Sequence, residues 1–480
     1  MTPSLPLTYT NCQESTSGVW QSAPQEPEAP LFGGAFDSRN LQGEQIFFAF
    51  TFGAQDGHQF VHSLAGSSVK LLVVEKAVDP IPGIAILQVP DSLAALHQIA
   101  AWRAKNFAGK IVSLTGSSGK TTVKNWLVHF LGSSFNVQAN PGSFNNHIGC
   151  PVTLLSVERD TELLVLEMGT SGPGELDLLS SIAPADITLL LNIGHAHLGK
   201  FGSLEGLKQA KLEIFRHPRL GGVNIAPQGS LYDKVPGPKT TFGASGDYWV
   251  DQVTVDGAAG EQSFVLHTPG NTQKVQTNHL GPFVPEMLAA LRAVYDQLGG
   301  NPEGFARLAS QLPEGQGRSQ VLSGPKGSRL INDSYNANPE SVVSLWQTMA
   351  AFEGQTYLAC IGNLAEMDEG LSESLEVMTR GMPEQLTDLF VCGETAPILK
   401  EAFAQFRPRL KVTLYANPLE MKERALELAG PHTVIGVKGS RTSHMERLVL
   451  ALTGTEVDCA LDRCGLLLNC VNCSKLNGEG

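Results

Sequence analysis

Apolar runs of strand length alternate with helical stretches along most of this 480-residue chain, and this alternation limits the possible folds more than any other feature. Four such runs occupy residues 111–115, 163–168, 187–193 and 222–226. Strands that are apolar throughout are buried on both faces, as in a parallel sheet that helices cover on both sides. The sequence therefore predicts an α/β protein, and its length allows about three domains.

The segment Thr115–Thr122 reads T-G-S-S-G-K-T-T and lies between the first of these runs and an amphipathic helix. Glycines at such a turn let backbone N–H groups approach phosphate oxygens, and the following helix N-terminus favours negative charge. Lys120 can neutralise the β- and γ-phosphates, and the Thr121 hydroxyl can bind Mg²⁺. The predicted ATP-binding residues of this loop are Gly116, Ser117, Ser118, Gly119, Lys120, Thr121 and Thr122. Leu114 stands where the usual loop has its first glycine, so a glycine-rich turn with a solvated lysine is the alternative.

Changes in the pattern divide the chain into three predicted domains and a tail. The first thirty residues begin loosely, residues 249–280 alternate like an antiparallel ribbon, and the Gly- and Pro-rich segment 312–319 has the composition of a hinge. The prediction is a small α/β N-terminal domain, a central P-loop ATPase domain with a parallel sheet and an antiparallel ribbon, a C-terminal Rossmann-like α/β domain and a cysteine-containing tail, at residues 1–108, 109–313, 314–458 and 459–480.

The charge balance is acidic, with 47 Asp and Glu against 34 Lys and Arg and a net charge of −13. Such a chain is poorly suited to bind nucleic acid or an anionic membrane surface over a large area. No run approaches the roughly 18 apolar residues of a membrane span. Residues 1–38 hold no Lys or Arg for a secretory signal. These features predict a cytoplasmic protein without nucleic-acid partners and without a membrane span.

Charged residues and histidines follow the apolar strands of the central domain. Glu167 lies in the run 163–168, near the carboxyl end of a strand, where side chains of a parallel sheet reach the ligand crevice. A carboxylate there is a suitable hard ligand for Mg²⁺. The segment N-I-G-H-A-H, which ends at His197, could bind metal or phosphate, although a histidine at such a place is more often an ordinary loop residue. Lys208 and Lys211 lie on a predicted helix and, taken alone, indicate a solvated face.

Nine short segments follow one another along the chain in a distinctive order. They are FDSR (36–39), DGHQF (56–60), TGSSGKTT (115–122), GSFNNHIGCPVTLL (142–155), LEMGTSGPGEL (166–176), NIGHAHLGKFGSLEGLKQAKLEIF (192–215), NDSYNANPES (332–341), GNLAEM (362–367) and VKGSRTSHME (437–446). In this order they resemble the Mur ligases, which are ATP-dependent amide-bond-forming enzymes of peptidoglycan precursor synthesis. The resemblance covers the chain from about Asp37 to Leu452.

The resemblance implies a catalytic site for ATP and two Mg²⁺ ions. It assigns the ATP phosphates and one Mg²⁺ to Lys120 and Thr121. It assigns a second Mg²⁺ to Glu167, His197 and Lys211. Lys211 matches the family's carbamylated lysine, whose carbamate is itself a metal ligand. Lys120, Glu167, His197 and Lys211 are therefore the implied catalytic residues.

Further positions match residues that contact the nucleotide and the substrates in this family. Arg318 matches a basic residue near the phosphates, and Asp333 matches the acidic residue that contacts the ATP ribose. The implied substrate-binding residues lie at the uridine diphosphate end, at the substrate–phosphate junction and near the peptide. In that order they are Asp37, Ser38 and Arg39, then Asn145 and Asn146, then Asn336 and Asn338.

Within the family, Y-N-A-N-P-E-S at 335–341 favours the branch that joins D-Ala-D-Ala to UDP-MurNAc-tripeptide through an acyl phosphate. We expect a monomeric enzyme with these two substrates and with ATP and Mg²⁺ as cofactors. A sister ligase that adds a single amino acid is one alternative, but it should carry an Asp-Asn-Pro-Arg segment that this chain lacks. A non-catalytic nucleotide-binding homologue is another, because Phe283, Val284 and Met287 replace the family's adenine-side pattern.

Four of the eight cysteines crowd into the tail, as Cys459, Cys464, Cys470 and Cys473. Only the last two have the C-x2-C spacing of a zinc knuckle. The four lie closer together than the two separated pairs of a usual zinc site. The sequence therefore predicts reduced cysteines with no catalytic part, and a metal site in the tail is the alternative.

Overall fold

The computed structural model describes most of the chain, in two compact units. The described residues are 4–39, 41–53, 55–194, 201–229, 232–257, 259–352, 355–364, 371–459, 470–473 and 476, with the side chains of Leu371, Glu373 and Asn472 excepted. The first unit comprises Met1–Ile193, Glu205–Thr241 and Ala293–Gly300, and the second comprises Gly194–Leu204, Phe242–Arg292 and Asn301–Gly480. Within the described residues, no helix has both the length and the apolar character that crossing a membrane requires.

The first unit begins with a five-stranded sheet. Its strands lie in the order Val19–Ser22, Ala85–Gln88, Leu71–Val74, Ile46–Phe48 and Gly34–Ala35. The first two strands are antiparallel, and the other neighbours are parallel. Helix Ser92–Lys105 packs its apolar side against this sheet. The helix begins after Asp91, whose carboxylate accepts the N–H of Ala94 at 2.9 Å.

Residues 4–30 contain more regular structure than the sequence suggests. Helix Tyr9–Thr16 begins after Thr8, which forms a capping box with Asn11, each side chain accepting the other residue's N–H. Strand Val19–Ser22 follows this helix and forms the sheet edge. The expectation of a loose beginning is therefore wrong. The helix has only eight residues and a weak apolar stripe, so its order comes from its cap and its packing, which periodicity does not reveal.

A second sheet of the first unit positions the phosphate loop. Its six strands lie in the order Val137–Ala139, Leu163–Glu167, Lys110–Thr115, Ala185–Leu190, Pro218–Pro227 and Lys239–Phe242. The first five are parallel to their neighbours, which confirms the predicted parallel sheet. The helices of this segment are Lys120–Leu131, Gly149–Leu155, Glu175–Ile182 and Leu204–Leu212. Because parallel strands end at one edge of a sheet, residues after Thr115 and near Glu167 lie close together.

The second unit contains a three-stranded and a six-stranded sheet. Strands Trp249–Asp256, Glu261–Thr268 and Asn271–Thr277 are antiparallel and confirm the predicted ribbon. The larger sheet has the order Gln320–Ser323, Arg329–Asp333, Thr433–Lys438, Thr356–Ile361, Leu386–Cys392 and Lys411–Tyr415. Its first pair is antiparallel, and its other neighbours are parallel. Its helices are Pro339–Ala350, Leu371–Arg380, Ala396–Phe406, Lys422–Leu428 and Glu446–Leu452.

The central strands of the six-stranded sheet are buried on both faces, because successive side chains of a strand enter different apolar clusters. Ala359 belongs to the cluster that contains Trp346 of helix Pro339–Ala350. The next residue, Cys360, belongs to the cluster that contains Leu448 of helix Glu446–Leu452. Burial on both faces explains why the central strands Thr356–Ile361 and Thr433–Lys438 are mostly apolar.

The remaining described elements are two helices, short strand pairs and turns of 3₁₀ helix. Two further helices span Val284–Gln297 and Phe305–Ser310. Short strands pair as Leu7–Thr8 with Pro30–Leu31 and as Thr51–Phe52 with Gln55–Asp56. Turns of 3₁₀ helix occupy Gly57–Leu64, Glu213–Phe215, Tyr232–Lys234, Pro302–Gly304, Pro325–Gly327, Pro418–Met421, Arg441–Ser443 and Cys470–Asn472. The α/β class is confirmed, and the domain limits near residues 108, 313 and 458 stay predictions.

Candidate active site

The phosphate loop connects strand Lys110–Thr115 to helix Lys120–Leu131, as predicted. Gly119 has a φ of +79°, a left-handed conformation that favours glycine just before the helix begins. A side chain on Gly116 would begin 3.0 Å from the Leu191 Cβ, so this position also requires a small residue. The backbone conformation of the loop therefore requires glycine at position 119 and a very small residue at position 116.

Asn192 fixes the shape of the phosphate loop. Its Oδ1 accepts the Ser118 N–H at 2.9 Å, and its Nδ2 donates to the Ser118 carbonyl at 3.0 Å. Its own carbonyl accepts the Ser117 N–H at 3.1 Å. The sequence predicts Ser117 and Ser118 as phosphate-binding residues, whereas it gives no individual role to Asn192. Three hydrogen bonds hold the loop in place from the end of a neighbouring strand.

The Lys120 ammonium lies over the loop. Its Nζ donates to the Gly116 carbonyl at 2.8 Å and to the Ser117 carbonyl at 3.2 Å. A lysine at the first position of a helix is normally unfavourable, because the N-terminal end of the helix dipole is positive. The combination of helix N-terminus, glycine turn and ammonium group favours a bound anion of high charge.

Glu167 is the centre of a buried cluster beside the loop. The residue is 1% exposed. Its Oε1 accepts the Thr121 hydroxyl at 3.1 Å and the Asn145 Nδ2 at 2.7 Å. The fold therefore brings together three residues that the sequence predicts from separate segments, Thr121, Asn145 and Glu167.

Two further residues, which sequence reasoning missed, hold Glu167 in place. Asn140 bonds both backbone groups of Glu167: its Oδ1 accepts the N–H at 2.9 Å and its Nδ2 donates to the carbonyl at 3.0 Å. The buried Lys124 Nζ lies 3.7 Å from the Glu167 Oε2 and donates to the carbonyls of Asn140 at 2.6 Å and Gly142 at 2.5 Å. Lys124 lies four residues after Lys120, in an otherwise apolar helix face, which is the one signal the sequence carries.

The cluster has the composition of a magnesium site. The Glu167 Oε2 is buried and has no hydrogen-bond donor among the described residues. A carboxylate oxygen in this state can accept a cation, and the Thr121 hydroxyl bonded to the same carboxylate is a second oxygen ligand. Mg²⁺ prefers such hard oxygen ligands and retains several waters. The residues present therefore fit Mg²⁺, with Thr121 and Glu167 as its described ligands.

Lys211 is buried and reaches the phosphate loop. The residue is 2% exposed, on helix Leu204–Leu212, and its Nζ lies 3.3 Å from the Gly116 carbonyl oxygen. The interpretation of this helix as a solvated face is wrong for Lys211. It holds for Lys208, whose side chain is 30% exposed and lies 3.8 Å from the Glu205 carboxylate. The predicted metal ligand His197 lies outside the described residues.

In the second unit, Asp333 and Arg318 occupy a polar cluster at the end of a strand. The Asp333 carboxylate accepts the Ser319 N–H at 3.0 Å and a short hydrogen bond from the buried Lys438 ammonium. The Arg318 guanidinium lies 4.0 Å from the centre of the Tyr335 ring. The Arg441 guanidinium lies 5.1 Å from the same ring. Cation–π contacts of this kind fix the direction of two positive charges.

A cavity of about 320 Å³ adjoins this cluster within the second unit. Its wall includes Gln316, Ser334, Tyr335, Arg441, Glu446 and Val471. A cavity with an aromatic ring and a guanidinium in its wall suits a planar or anionic group. Tyr335, Lys438 and Arg441 lie in segments 332–341 and 437–446, but the sequence does not indicate individual roles for them. Their contacts form only when the strands that carry these segments pair in the sheet.

Several predicted substrate-binding residues have structural partners. Asn338 begins helix Pro339–Ala350, and its Oδ1 accepts the Ser341 N–H at 2.9 Å. The Asn336 carbonyl accepts the Lys438 ammonium at 3.0 Å. Asn146 similarly accepts the Gly149 N–H at 2.8 Å at the start of a helix. These bonds fix the local backbone, and the assignment of the three asparagines to substrate stays a prediction.

Asp37 and Arg39 pair with each other at the surface. The Arg39 Nε and Nη2 donate to the two carboxylate oxygens of Asp37 at 2.8 Å and 2.7 Å. The hydrogen bond with Arg39 lowers the pKa of the Asp37 carboxyl below its usual value. Ser38 is half-buried between them. The adjacent Phe36 stacks on Phe144, with ring centres 6.1 Å apart.

Comparison with known families matches two regions of the chain. Residues 114–294 match the Mur ligase middle domain, and residues 317–441 match the Mur ligase glutamate ligase domain. A UDP-N-acetylmuramoyl-tripeptide–D-alanyl-D-alanine ligase of Bacillus subtilis is 29% identical over 450 residues, which cover 92% of this chain and 97% of the relative. The enzyme of the same name from Mycobacterium tuberculosis is 31% identical over 368 residues, which cover 70% of this chain and 72% of the relative.

Solved structures give the same result. MurF from Acinetobacter baumannii is similar with a TM-score of 0.83 and 28% identity, over 94% of this chain and 99% of the other. MurF from Thermotoga maritima, in complex with ADP, is similar with a TM-score of 0.77 and 26% identity, over 88% of this chain and 97% of the other. The matches extend over most of the chain, and they agree with its parallel sheets and its phosphate loop. The chain belongs to the Mur ligase family.

Proposed function

We propose that the chain is an ATP-dependent ligase that joins D-Ala-D-Ala to UDP-MurNAc-tripeptide in peptidoglycan precursor synthesis. The observation that carries this proposal is the buried cluster of Thr121, Glu167 and Asn145 beside the phosphate loop. Two lysines, Lys120 and Lys211, lie against the same loop carbonyl. The names of the curated relatives support the choice of substrates.

The reaction requires two displacements. A carboxylate oxygen of the tripeptide attacks the γ-phosphorus of ATP, and the bond from this phosphorus to the β-phosphate oxygen breaks. The products are ADP and an acyl phosphate. The amine of D-Ala-D-Ala then attacks the acyl carbon and loses a proton to solvent, the amide bond forms, and inorganic phosphate leaves with the electron pair of the C–O bond. In this proposal Lys120 neutralises phosphate charge, which lowers the repulsion between the two reacting anions. Neither displacement requires a side-chain nucleophile.

We propose Mg²⁺ as the cofactor that accompanies ATP. Thr121 would hold the ion at the ATP phosphates, and the family resemblance assigns a second ion to Glu167, His197 and a carbamylated Lys211. When bound, Mg²⁺ supplies positive charge next to the transferred phosphoryl group. The burial of Lys211 at the loop supports the carbamate assignment, because a carbamate replaces a buried cation with an anionic ligand.

The substrate assignments rest on the resemblance together with the described surroundings of each residue. We assign Asp37, Ser38 and Arg39 to the uridine diphosphate end, where a paired carboxylate and guanidinium are exposed. Asn145 and Asn146 are assigned to the junction of substrate and phosphate, and Asn336 and Asn338 to the peptide. Arg318 and Asp333 are assigned to ATP, with Tyr335 and Arg441 as additional contacts of the cavity in the second unit.

We also propose a cytoplasmic monomer. The seven described cysteines are all free, which is typical of proteins from a reducing compartment. Sedimentation at several protein concentrations, with and without ATP, measures the association state directly. A concentration-dependent dimer would contradict this part of the proposal without affecting the activity.

The activity is tested by phosphate release with ATP, Mg²⁺, UDP-MurNAc-tripeptide and D-Ala-D-Ala, with each component omitted in turn. We expect release only with all four, and none from Lys120→Ala. Release with a single amino acid in place of the dipeptide would instead identify a sister ligase. A non-catalytic nucleotide-binding homologue would bind ATP and show no phosphate release in a single-turnover experiment with both substrates.

A further inference from the structure

Three buried side chains converge in the second unit, away from the phosphate loop. The His444 imidazole, the Glu446 carboxylate and the Cys470 thiol each offer a ligand atom, and these atoms all lie within 4.8 Å of one another. The Cys470 Sγ lies 3.3 Å from the His444 Nδ1, which lies 3.6 Å from the Glu446 Oε1. Nitrogen, carboxylate oxygen and thiolate sulfur are the ligand types of zinc in proteins.

The backbone at His444 is strained in a way that favours a specific role for its side chain. His444 has a φ of +49°, which glycine adopts readily and which costs other residues roughly 1 kcal/mol or more. It ends the turn Arg441–Ser443, and its carbonyl accepts the Arg447 N–H at 3.1 Å. The turn thereby directs the imidazole into the buried cluster. Such strain concentrates at functional positions.

The tail is held against the helix that carries Glu446. The Cys470 N–H donates to the Glu446 Oε1 at 3.3 Å, and Arg447 donates to the Cys459 carbonyl at 2.8 Å. The Cys459 N–H donates to the Leu476 carbonyl at 3.2 Å. Cys459 and Cys470 are therefore bonded to helix Glu446–Leu452, and Leu476 is bonded to Cys459. The thiol of Cys470 is therefore fixed beside ligands that lie 24 and 26 residues earlier in the chain.

We propose that His444, Glu446 and Cys470 bind a Zn²⁺ ion that anchors the tail. Among the described residues, the Cys473 thiol is not one of the converging ligand atoms, so Cys470 is the one thiolate of the proposed site and water completes its four-coordinate shell. The cysteine spacing within the tail does not indicate a metal site, but the fold brings two ligands from outside the tail, His444 and Glu446. Val471 and Glu446 also line the cavity with Tyr335, so the anchored tail forms part of that cavity's wall.

The proposal is tested on the full-length protein, purified without a metal-affinity tag and dialysed with Zn²⁺. We expect one equivalent of zinc by elemental analysis, and a thiolate-to-metal charge-transfer absorption after replacement with Co²⁺. Cys470→Ser should abolish that absorption. His444→Gly and Cys470→Ser should each lower the affinity for Zn²⁺ by at least about tenfold. Glycine suits the backbone of residue 444, so the first variant is expected to fold.

Cys360→Ala is the matched control, because Cys360 is a buried cysteine of the same unit that lies in an apolar cluster. It should keep the zinc content and the charge-transfer absorption of the wild type. Zinc well below one equivalent in the wild type would overturn the proposal. Wild-type affinity in either ligand variant would show that the ligand set is wrong.

Discussion

The Lys211 Nζ lies 3.3 Å from the Gly116 carbonyl oxygen, although the two residues are 95 positions apart. The Lys120 Nζ donates to the same oxygen at 2.8 Å. Two ammonium groups at one carbonyl repel each other, and the repulsion is strong where burial lowers the dielectric constant. Conversion of Lys211 to a carbamate would remove this repulsion and provide an anion for a metal ion.

Lys211→Ala is expected to abolish ligase activity, and a short carboxylic acid at high concentration should restore part of it. The physical reason is that the added carboxylate replaces the carbamate as an anionic ligand. Phosphate release over a series of acid concentrations measures the rescue. Lys208→Ala, on the same helix but partly exposed, should retain near-wild-type activity. Full activity of Lys211→Ala without added acid would contradict the assignment.

Glu167→Gln is expected to lower turnover by at least ~10²-fold, the scale of losing one strong transition-state contact. The substitution keeps the size of the side chain and removes the charge that would bind Mg²⁺. Glu162 lies just before the same strand, and the control variant Glu162→Gln should leave turnover unchanged. Steady-state phosphate release at saturating Mg²⁺ measures both. Near-wild-type turnover of Glu167→Gln would exclude the proposed magnesium site.

Lys124→Met is expected to destabilise the first unit by about 3–5 kcal/mol, because it leaves the Glu167 carboxylate buried without its cation. Urea unfolding, followed by a probe in the first unit, measures the change. Adding Glu167→Gln should recover part of the loss, since the uncompensated charge is then removed. Lys110→Ala, at an exposed position of the same sheet, should change stability by no more than about 0.5 kcal/mol. Equal loss in the single and double variants would disprove the charge argument.

Asp56 should make a pH-dependent contribution to stability. Its carboxylate accepts hydrogen bonds from the Lys76 ammonium and the His58 N–H, and the Lys76 bond is the main cause of its lowered pKa. A lowered folded-state pKa contributes stability above the unfolded value of about 3.9, and this contribution is lost as the pH falls through the folded value.

We therefore expect Asp56→Asn to lower stability at pH 7 by no more than about 1 kcal/mol, because the Lys76 partner is exposed, with the difference from wild type shrinking below about pH 4. Urea midpoints measured across this range provide the test. Asp79→Asn, at an exposed position of the same region, should show little difference at any pH. A difference that grows as the pH falls would have the wrong sign for this mechanism.

Much of the fold could be predicted because its signals are local. Strand Leu163–Glu167 is apolar up to its last residue, and the glycines of the phosphate loop lie within five residues before Lys120. Both features can be read from the chain alone. The same is true of Glu167 and Thr121, each marked by its place at the end of a strand or the start of a helix. Helix Tyr9–Thr16 was missed, because a short polar helix has no comparable periodic signal.

The partners of the site could not be predicted, because they depend on contacts between distant segments. Asn192 and Ser118 are 74 positions apart, and nothing in either segment indicates their hydrogen bonds. The apolar helix face around Lys124 suggests burial of this lysine, but only the fold shows that its partner is Glu167. The same reason explains the proposed zinc site, since Cys470 meets His444 only after the tail folds back.

The bonds between Asn192 and Ser118 have a consequence for the kinetics of nucleotide exchange. They give the phosphate loop its curvature without help from a ligand, so little chain entropy remains to be lost when a nucleotide arrives. A site of this type can be filled and emptied on every turnover without a folding step. An enzyme that must discharge ADP before each new cycle benefits from a binding surface whose order was completed when the protein folded.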